Sequence, residues 1–502
     1  MIKILLLSAG TNAIYHLTRI FKEKFPQQFY LFGVDVNPRH LLPSCHNLDG
    51  FCQVPYTSDP NYYQTILNIC RNEQINVILP SFDSDQKLFY PGNTDLQKLN
   101  VFSLGTPKDS LAYYENKTLM NAFLQLHGLP VPAQYTEAKE GKEYFLKPKY
   151  GVGSIGTQKI SGQDFNALPN KEDFLLQEIC KGPEITLECF AYQGNFSCAA
   201  RERIATKAGV CTKTRVYYDE NLKQIGLNFI KRIKTPLYFN LQFMTNSHGE
   251  AVITDVNFRL AGGMSLTCAA GWDEATALAN VLLERPTKEI FKTLQPVQQE
   301  QYVVRCYQDI VTHKPIPSIA FDLDGTLLDS RLRHKKVLDD ILVRHKIRLD
   351  SSELLAFKRK GHNNIDFLIH KGITKEQAQD IQKEWISLIE DDSYLKLDAL
   401  YEDALQLLQS YHGTRLILIT ARNRKDAALA QIRRMGIASF FQTIHIVPSS
   451  PTVAQDKAYF LKKENAVLML GDTKADFTAA QLAGIPFKHL NHGFHDASIL
   501  NI

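Results

Sequence analysis

Apolar runs alternate with amphipathic stretches from the first residues of the chain. Residues 2–8 form an apolar run that ends just before Gly10, which predicts a buried strand. The spacing predicts a helix over 12–24, a strand at Tyr30–Asp35, a helix near 60–73 and a strand at Asn76–Pro80. Strands and helices alternating at that length predict a small parallel α/β domain over residues 1–105. From about residue 106 the pattern changes. A helix near 116–127 stops at Gly128, with Pro130 and Pro132 beyond it. Strand-like runs follow at Tyr144–Lys147, Phe174–Gln177, Ile185–Tyr192 and Ala251–Val256, predicting an α+β domain over 106–300. A linker is expected at 301–317, clearest from Asp309 to Pro317, and a second α/β domain at 318–502.

Length supports this division, because 502 residues exceed one ordinary core. There is no repeat or low-complexity tract. The net charge of +4 is small and its basic residues are scattered, so no nucleic-acid partner is expected. The opening apolar run is too short to span a membrane and has no cleavage pattern behind it. Nine cysteines are dispersed without a CxxC pair. That predicts a reducing, cytoplasmic setting and no cysteine-built metal site.

The most informative chemistry lies in the last third. Phe321-Asp322-Leu323-Asp324-Gly325-Thr326 is followed by Thr420, Lys457, Gly471-Asp472 and Asp476. Asp-x-Asp-Gly alone also occurs in turns and calcium loops. Here apolar runs at Ser318–Phe321, Leu416–Ile419 and Val467–Leu470 each deliver a polar residue at the carboxyl end. In this order the residues resemble the haloacid-dehalogenase-like phosphohydrolases over about 316–502. The resemblance implies a Rossmann-like domain with a small helical cap at about 330–399. It implies Asp322 as nucleophile, Asp324 as acid and base, and Thr420 and Lys457 as ligands of the phosphoryl oxygens. The implied Mg²⁺ set is Asp322, Asp324, Asp472 and Asp476. Arg359 and His362 are candidate substrate contacts in the cap.

Upstream, Gly10 with Asp35 makes only half of a dinucleotide fingerprint. Residues Lys147 to Gly156 contain a G-x-G-x-x-G, yet a strand-like run rather than a helix follows it. A lysine-led glycine hairpin suits a lid over phosphates, although a plain turn has the same composition. Asp255, Asn257 and Arg259 alternate, so they share one face of a strand. Residues 1–300 resemble the ATP-grasp superfamily, particularly its carbamoyl-phosphate-synthase-like branch, with a pre-ATP-grasp α/β domain before the ATP-grasp fold. The resemblance places nucleotide phosphates on Lys117, Lys147 and the loop residues Gly151, Gly153, Ser154 and Gly156. It places adenine at Gln177, Glu178 and Ile179, ribose at Glu184, and Gln242 beside the phosphates. Asp255, where the family has glutamate, and Asn257 become metal ligands, and Arg259 meets the transferred phosphoryl. Arg201 to Arg203 with Lys207 resembles a substrate-facing strand, and Gly262-Gly263 a turn that could hold an acyl phosphate. Ser81, Asp83 and Asp85 either line the acceptor pocket or cap the next helix.

Together the resemblances imply ATP and Mg²⁺ as cofactors and a bifunctional enzyme. One half would join a small carboxylate to an amine, and the other would dephosphorylate a small phosphorylated metabolite. Two rival readings are a phosphatase with a non-catalytic ATP-binding module, and an ATP-grasp enzyme making a phosphorylated or carbamoylated product.

Overall fold

The opening apolar run folds as β1 (Ile2–Leu6), and the helix Asn12–Lys24 follows it. Thr11 caps that helix by accepting from Ile14 N, and Ile14, Leu17 and Phe21 are buried along one stripe. β2 (Phe29–Asp35), β3 (Gly50–Gln53), β4 (Val77–Leu79) and β5 (Phe102–Ser103) complete a parallel sheet in the order β3-β2-β1-β4-β5. Asp35 closes on its own loop, accepting from Gly10 N and Asn37 N at 2.8 and 2.9 Å. In this structure its carboxylate braces a turn. The protein was analysed as a computed structural model, which describes residues 1–151, 156–207 and 209–499.

β6 (Gln134–Tyr135), β7 (Glu143–Pro148), β8 (Gln158–Ser161) and β9 (Phe174–Gln177) form an antiparallel sheet ordered β6-β9-β7-β8. A larger antiparallel sheet contains β10 (Lys181–Tyr192), β11 (Asn195–Lys207), β12 (Val210–Tyr217), β13 (Tyr238–Thr245), β14 (Ala251–Asn257) and β15 (Gln301–Val304), ordered β14-β13-β10-β11-β12-β15. Gln193 and Gly194, both at positive φ, make the two-residue turn between β10 and β11. β15 corrects the linker expected over 301–317. Its four residues pair with β12, Lys213 opposite Val304, so the sheet edge is covered where an unstructured connection was expected. The helix Asn12–Lys24 and the helix Glu274–Leu282 contribute to one core, and Lys24 pairs with Asp273 at 2.6 Å. Met1–His313 accordingly forms one compact unit.

A second unit begins at Lys314. β16 (Ser318–Phe321) leads to the short β17 (Leu328–Asp329), which pairs antiparallel with β18 (Ala399–Leu400). Between them, helices Arg331–Arg344, Leu354–Arg359, Asn364–His370, Lys375–Leu388 and Asp392–Leu395 close on a separate core that includes Val337, Ile341, Phe367 and Ile381. β19 (Arg415–Ala421), β20 (Thr443–Val447), β21 (Ala466–Gly471) and β22 (Phe487–His489) then complete a parallel sheet ordered β20-β19-β16-β21-β22. Among the described residues, no helix is long and apolar enough to cross a membrane.

Candidate active sites

In the second unit, β16 is central, and β19 and β21 flank it in parallel. Their carboxyl ends therefore bring Asp322, Thr420 and Asp472 to one edge. The helix Lys474–Ala483 adds Asp476 through a capping box with Thr473. Lys457, on the helix Val453–Lys463, reaches Asp322 at 2.7 Å and Asp476 at 2.6 Å. One oxygen from each of Asp322, Asp472 and Asp476 lies within 4.8 Å of the others. Asp472 also accepts from Phe494 N at 2.5 Å. Gly325 has φ +77°, and a Cβ there would overlap the Asp472 carboxylate. Thr420 is buried at the end of β19.

Charge is crowded here. Burial, then Asp476, pushes the Asp322 carboxyl up to about 7, although Lys457 opposes the shift. Burial, then Asp322 and Asp476, holds Asp472 well above the usual carboxylate range. Burial favours a neutral Lys457, but the Asp322 and Asp476 carboxylates override it and raise its pKa. Asp324 behaves differently. Burial would raise it, but Arg422 and Arg333 hold it low, at 2.7 and 2.5 Å. Its carboxylate is thus bound by two guanidinium groups, while the acid cluster that can hold a metal consists of the other three aspartates.

In the first unit, a cavity of about 430 Å³ is lined by Lys117, Lys147, Gly151, Asp255, Asn257 and Asp83, among others. Lys117 opens the helix Lys117–Leu126, which Asn116 caps, and its Nζ donates to Gly151 O at 2.5 Å. Burial lowers its pKa. Lys147, on β7, donates to Thr254 O at 2.6 Å and pairs with Asp255 at 3.3 Å. Asp255 and Asn257 both project from β14 into the cavity. Arg259 instead pairs with Asp83 at 3.2 Å, and Tyr114 also bonds Asp83. Asp85 is buried against Tyr62 and Ser8 and Ser81 bonds Leu7 O, so both brace the first sheet.

Other nucleotide-site candidates have protein partners of their own. Gln177 is buried and reaches Asn121, a cavity residue, at 3.4 Å. Glu178 accepts from Ala133 N and from Ser247 N and Oγ, tying the segment before β6 to the turn between β13 and β14. Ile179 follows it, half-buried. Glu184 pairs with Arg203 across β10 and β11. Gln242 lies opposite Asp255 in the β13–β14 register. Gly156 has φ +76°, while Gly153 and Ser154 lie outside the described residues. The basic stretch is internally matched: Arg201 pairs with buried Glu188 at 2.7 Å and Glu202 with Arg215 at 2.7 Å. In the second unit, Arg359 binds the C-terminal segment at Gly493 O and Asp496, and exposed His362 lies tilted against Phe357, ring centroids 4.4 Å apart.

Three family descriptions match separate stretches of the chain. Residues 4–102 match the PylC-like N-terminal domain, 170–305 match ATP-grasp in the biosynthetic pathway with Ter operon, and 316–484 match haloacid dehalogenase-like hydrolase. This chain joins an ATP-grasp-like domain to a haloacid-dehalogenase-like hydrolase domain. Both belong to enzyme families. The hydrolase domain is similar to phosphoglycolate phosphatases of Rhodobacter capsulatus and Mesorhizobium japonicum. The first is 29% identical over 191 residues, covering 36% of this chain and 85% of the relative. The second is 26% identical over 212 residues, covering 36% and 86%. A solved L-amino acid ligase from Bacillus licheniformis aligns at TM-score 0.48 and 13% identity, over 67% of this chain and 85% of that one.

The acid cluster of the hydrolase domain fits a hard divalent cation such as Mg²⁺. Lys457 pairs with two of the three buried carboxylates, Asp322 and Asp476, and oxygen donors are what Mg²⁺ requires. Without metal, the raised pKa values make the folded protein bind more protons than the unfolded chain. That contribution to stability is complete below the ordinary carboxylate range and is lost as pH rises through about 7, where Asp322 ionises. Mg²⁺ competes with those protons, so its stabilising effect should grow with pH. A thermal melt of metal-free protein should shift upward with MgCl₂ more at about pH 8 than at about pH 5.5. Equal shifts would contradict binding at this cluster.

The sequence reading did not pick out Arg333, Arg422 and the Gly493-Phe494 segment. Arg422 carried a readable signal, standing two residues after Thr420 beyond the carboxyl end of β19. The others reach the site only through the folding of the cap and the final segment.

Proposed function

We propose that the chain is a bifunctional enzyme: an ATP-dependent carboxylate–amine ligase and a phosphatase of small phosphorylated metabolites. The observation that carries this reading is the presence of two polar constellations, each built within one unit. One is the lysine, aspartate and asparagine lining of the first cavity; the other is the Asp322–Lys457–Asp472–Asp476 cluster.

In the ligase half, the γ-phosphoryl group passes from ATP to the acceptor carboxylate. The amine nitrogen then forms the new C–N bond, phosphate leaves, and the amine gives up its proton. Lys117 and Lys147 neutralise the phosphates. Gln177 and the backbone of Glu178 and Ile179 receive the nucleoside end, the Glu178 carboxylate being held by Ala133 and Ser247; Glu184 takes the ribose, and Gln242 and Arg259 steady the transferring group. In the hydrolase half, Asp322 attacks phosphorus and the leaving oxygen takes a proton from Asp324. Asp324 then accepts a proton from the water that cleaves the aspartyl phosphate. Arg333 and Arg422 favour the ionised, water-activating form, so proton delivery requires that pairing to loosen with substrate in place. Thr420 and Lys457 bind the phosphoryl oxygens. Asp255 and Asn257 in one half, and Asp322, Asp472 and Asp476 in the other, would hold Mg²⁺, which would supply positive charge to the transferring phosphoryl group.

The curated relatives are phosphoglycolate phosphatases, which supports a small phosphorylated acid as the phosphatase substrate. The test is ADP release by the full chain against pools of small carboxylates and amines, with p-nitrophenyl phosphate turnover measured beside it. One acid–amine pair should raise ADP release and give a product of their summed mass less water. ATP binding with no acceptor-dependent ADP from any pool would sink the ligase reading and leave a nucleotide-binding module.

A further inference from the structure

One peptide unit links the cap of the hydrolase domain to its acid cluster. Half-buried Arg359 ends the cap helix Leu354–Arg359 and reaches over the segment Asn491–Asp496. Its Nη1 donates to Gly493 O at 2.9 Å. Its Nη2 donates to Asn491 O and Oδ1, both at 3.3 Å, and to Asp496. The Arg359 carbonyl in turn accepts from Asp496 N at 3.2 Å. A guanidinium fork engaged in this way has little capacity left for a phosphate. Both ends of the Gly493–Phe494 peptide are held. Its carbonyl accepts from Arg359, and its N–H donates to Asp472 Oδ2 at 2.5 Å. The unit is planar and trans, so its carbonyl and N–H point opposite ways and join a guanidinium to a carboxylate through one rigid group. A cation on the carbonyl polarises the peptide and strengthens the N–H as a donor.

The surroundings hold the same peptide in place. Gly493 lies directly against the cluster, since a Cβ there would overlap the Asp472 carboxylate. The Phe494 ring packs on His334 with centroids 4.5 Å apart, so a second cap helix presses on this unit. On the core side, Leu490 N donates to Gly471 O at 2.9 Å and the Tyr401 hydroxyl to His492 O at 3.0 Å. We propose that Arg359 is a positioning residue of the metal centre. Acting through the Gly493–Phe494 peptide, it fixes the Asp472 carboxylate, so that Mg²⁺ binds tightly only with the cap docked on the C-terminal segment. The inference rests on the phosphatase reading above and names a control of that same site. Groups that hold a metal ligand from behind set its orientation and so the affinity for the ion. By linkage, Mg²⁺ favours the docked cap by the same factor that docking favours Mg²⁺. Arg359 makes and breaks no covalent bond.

The test is calorimetric titration of the nucleotide-free full chain with MgCl₂, taking the part of the heat that Asp322→Asn abolishes as the hydrolase site. Arg359→Met should raise the Mg²⁺ Kd of that site by about tenfold or more. KM for p-nitrophenyl phosphate at saturating MgCl₂ should stay within about threefold of wild type. Arg359→Lys retains a donor for Gly493 O and should recover part of the affinity. Gly493→Ala crowds Asp472 and should weaken Mg²⁺ binding as well. Adding Arg359→Met to Gly493→Ala should cost less than about twofold more, because both act through one peptide. Additive losses would overturn the proposal. So would an unchanged Mg²⁺ Kd with a raised KM, which would make Arg359 a substrate contact. Should Arg359→Met not fold, Arg359→Lys and Gly493→Ala carry the same comparison. Failure of the wild type to hydrolyse p-nitrophenyl phosphate, with Mg²⁺ binding weakened in the variants as expected, would instead sink the phosphatase reading alone.

Discussion

Asp322→Asn is expected to lower phosphatase kcat by at least about a thousandfold, because it removes the proposed nucleophile. The fold should survive the change. Lys457 keeps its 2.6 Å pairing with Asp476, and one of three mutually repelling carboxylates is gone. Metal-free protein should therefore melt no lower than wild type above about pH 7, where Asp322 would otherwise be ionised. The variant should also lose most of its thermal response to MgCl₂. ADP release by the other half should be unchanged, because the cavity proposed for the nucleotide is built entirely within Met1–His313. Residual phosphatase turnover within tenfold of wild type would remove Asp322 from the nucleophile role.

Lys147→Met is expected to have the second-largest effect, a fall of about a hundredfold or more in acceptor-dependent ADP release. The Lys147 ammonium is nearly buried, within reach of Thr254 O and Asp255, and no other lysine on β7 lines the cavity. Lys117 enters from a different element and is held by Gly151 O, so it does not take over that position. The loss should appear in kcat together with a raised KM for ATP, while p-nitrophenyl phosphate hydrolysis stays at the wild-type rate. Unchanged ADP release would show that the cavity is not where phosphate is transferred.

Local regularities made much of this fold legible. The helix Asn12–Lys24 and the strands Phe174–Gln177 and Ser318–Phe321 were readable because one periodicity governs each and clear stop signals bound it. The three apolar runs ending in Asp322, Thr420 and Asp472 were readable for the same reason. Paired charges were harder. Arg201, Glu202 and Arg203 read as a basic stretch, yet each answers an opposite charge on an adjacent strand. Asp324 shares its spacing with a metal ligand, yet Arg333 from the first cap helix and Arg422 from beyond β19 claim its carboxylate. Glu178 sits where a nucleotide contact was expected, but backbone donors from residues 133 and 247 engage it. Such pairings depend on tertiary neighbours that a local pattern does not encode.

The four residues of β15 bear on how the protein is handled as well as on how it folds. A fragment ending at residue 300, where composition suggests a boundary, would leave β12 with a bare row of amide and carbonyl groups. Such an edge invites pairing between copies, so the shortened ligase half should precipitate or form higher oligomers. A cut after His313 keeps the protecting strand and should yield a monodisperse fragment.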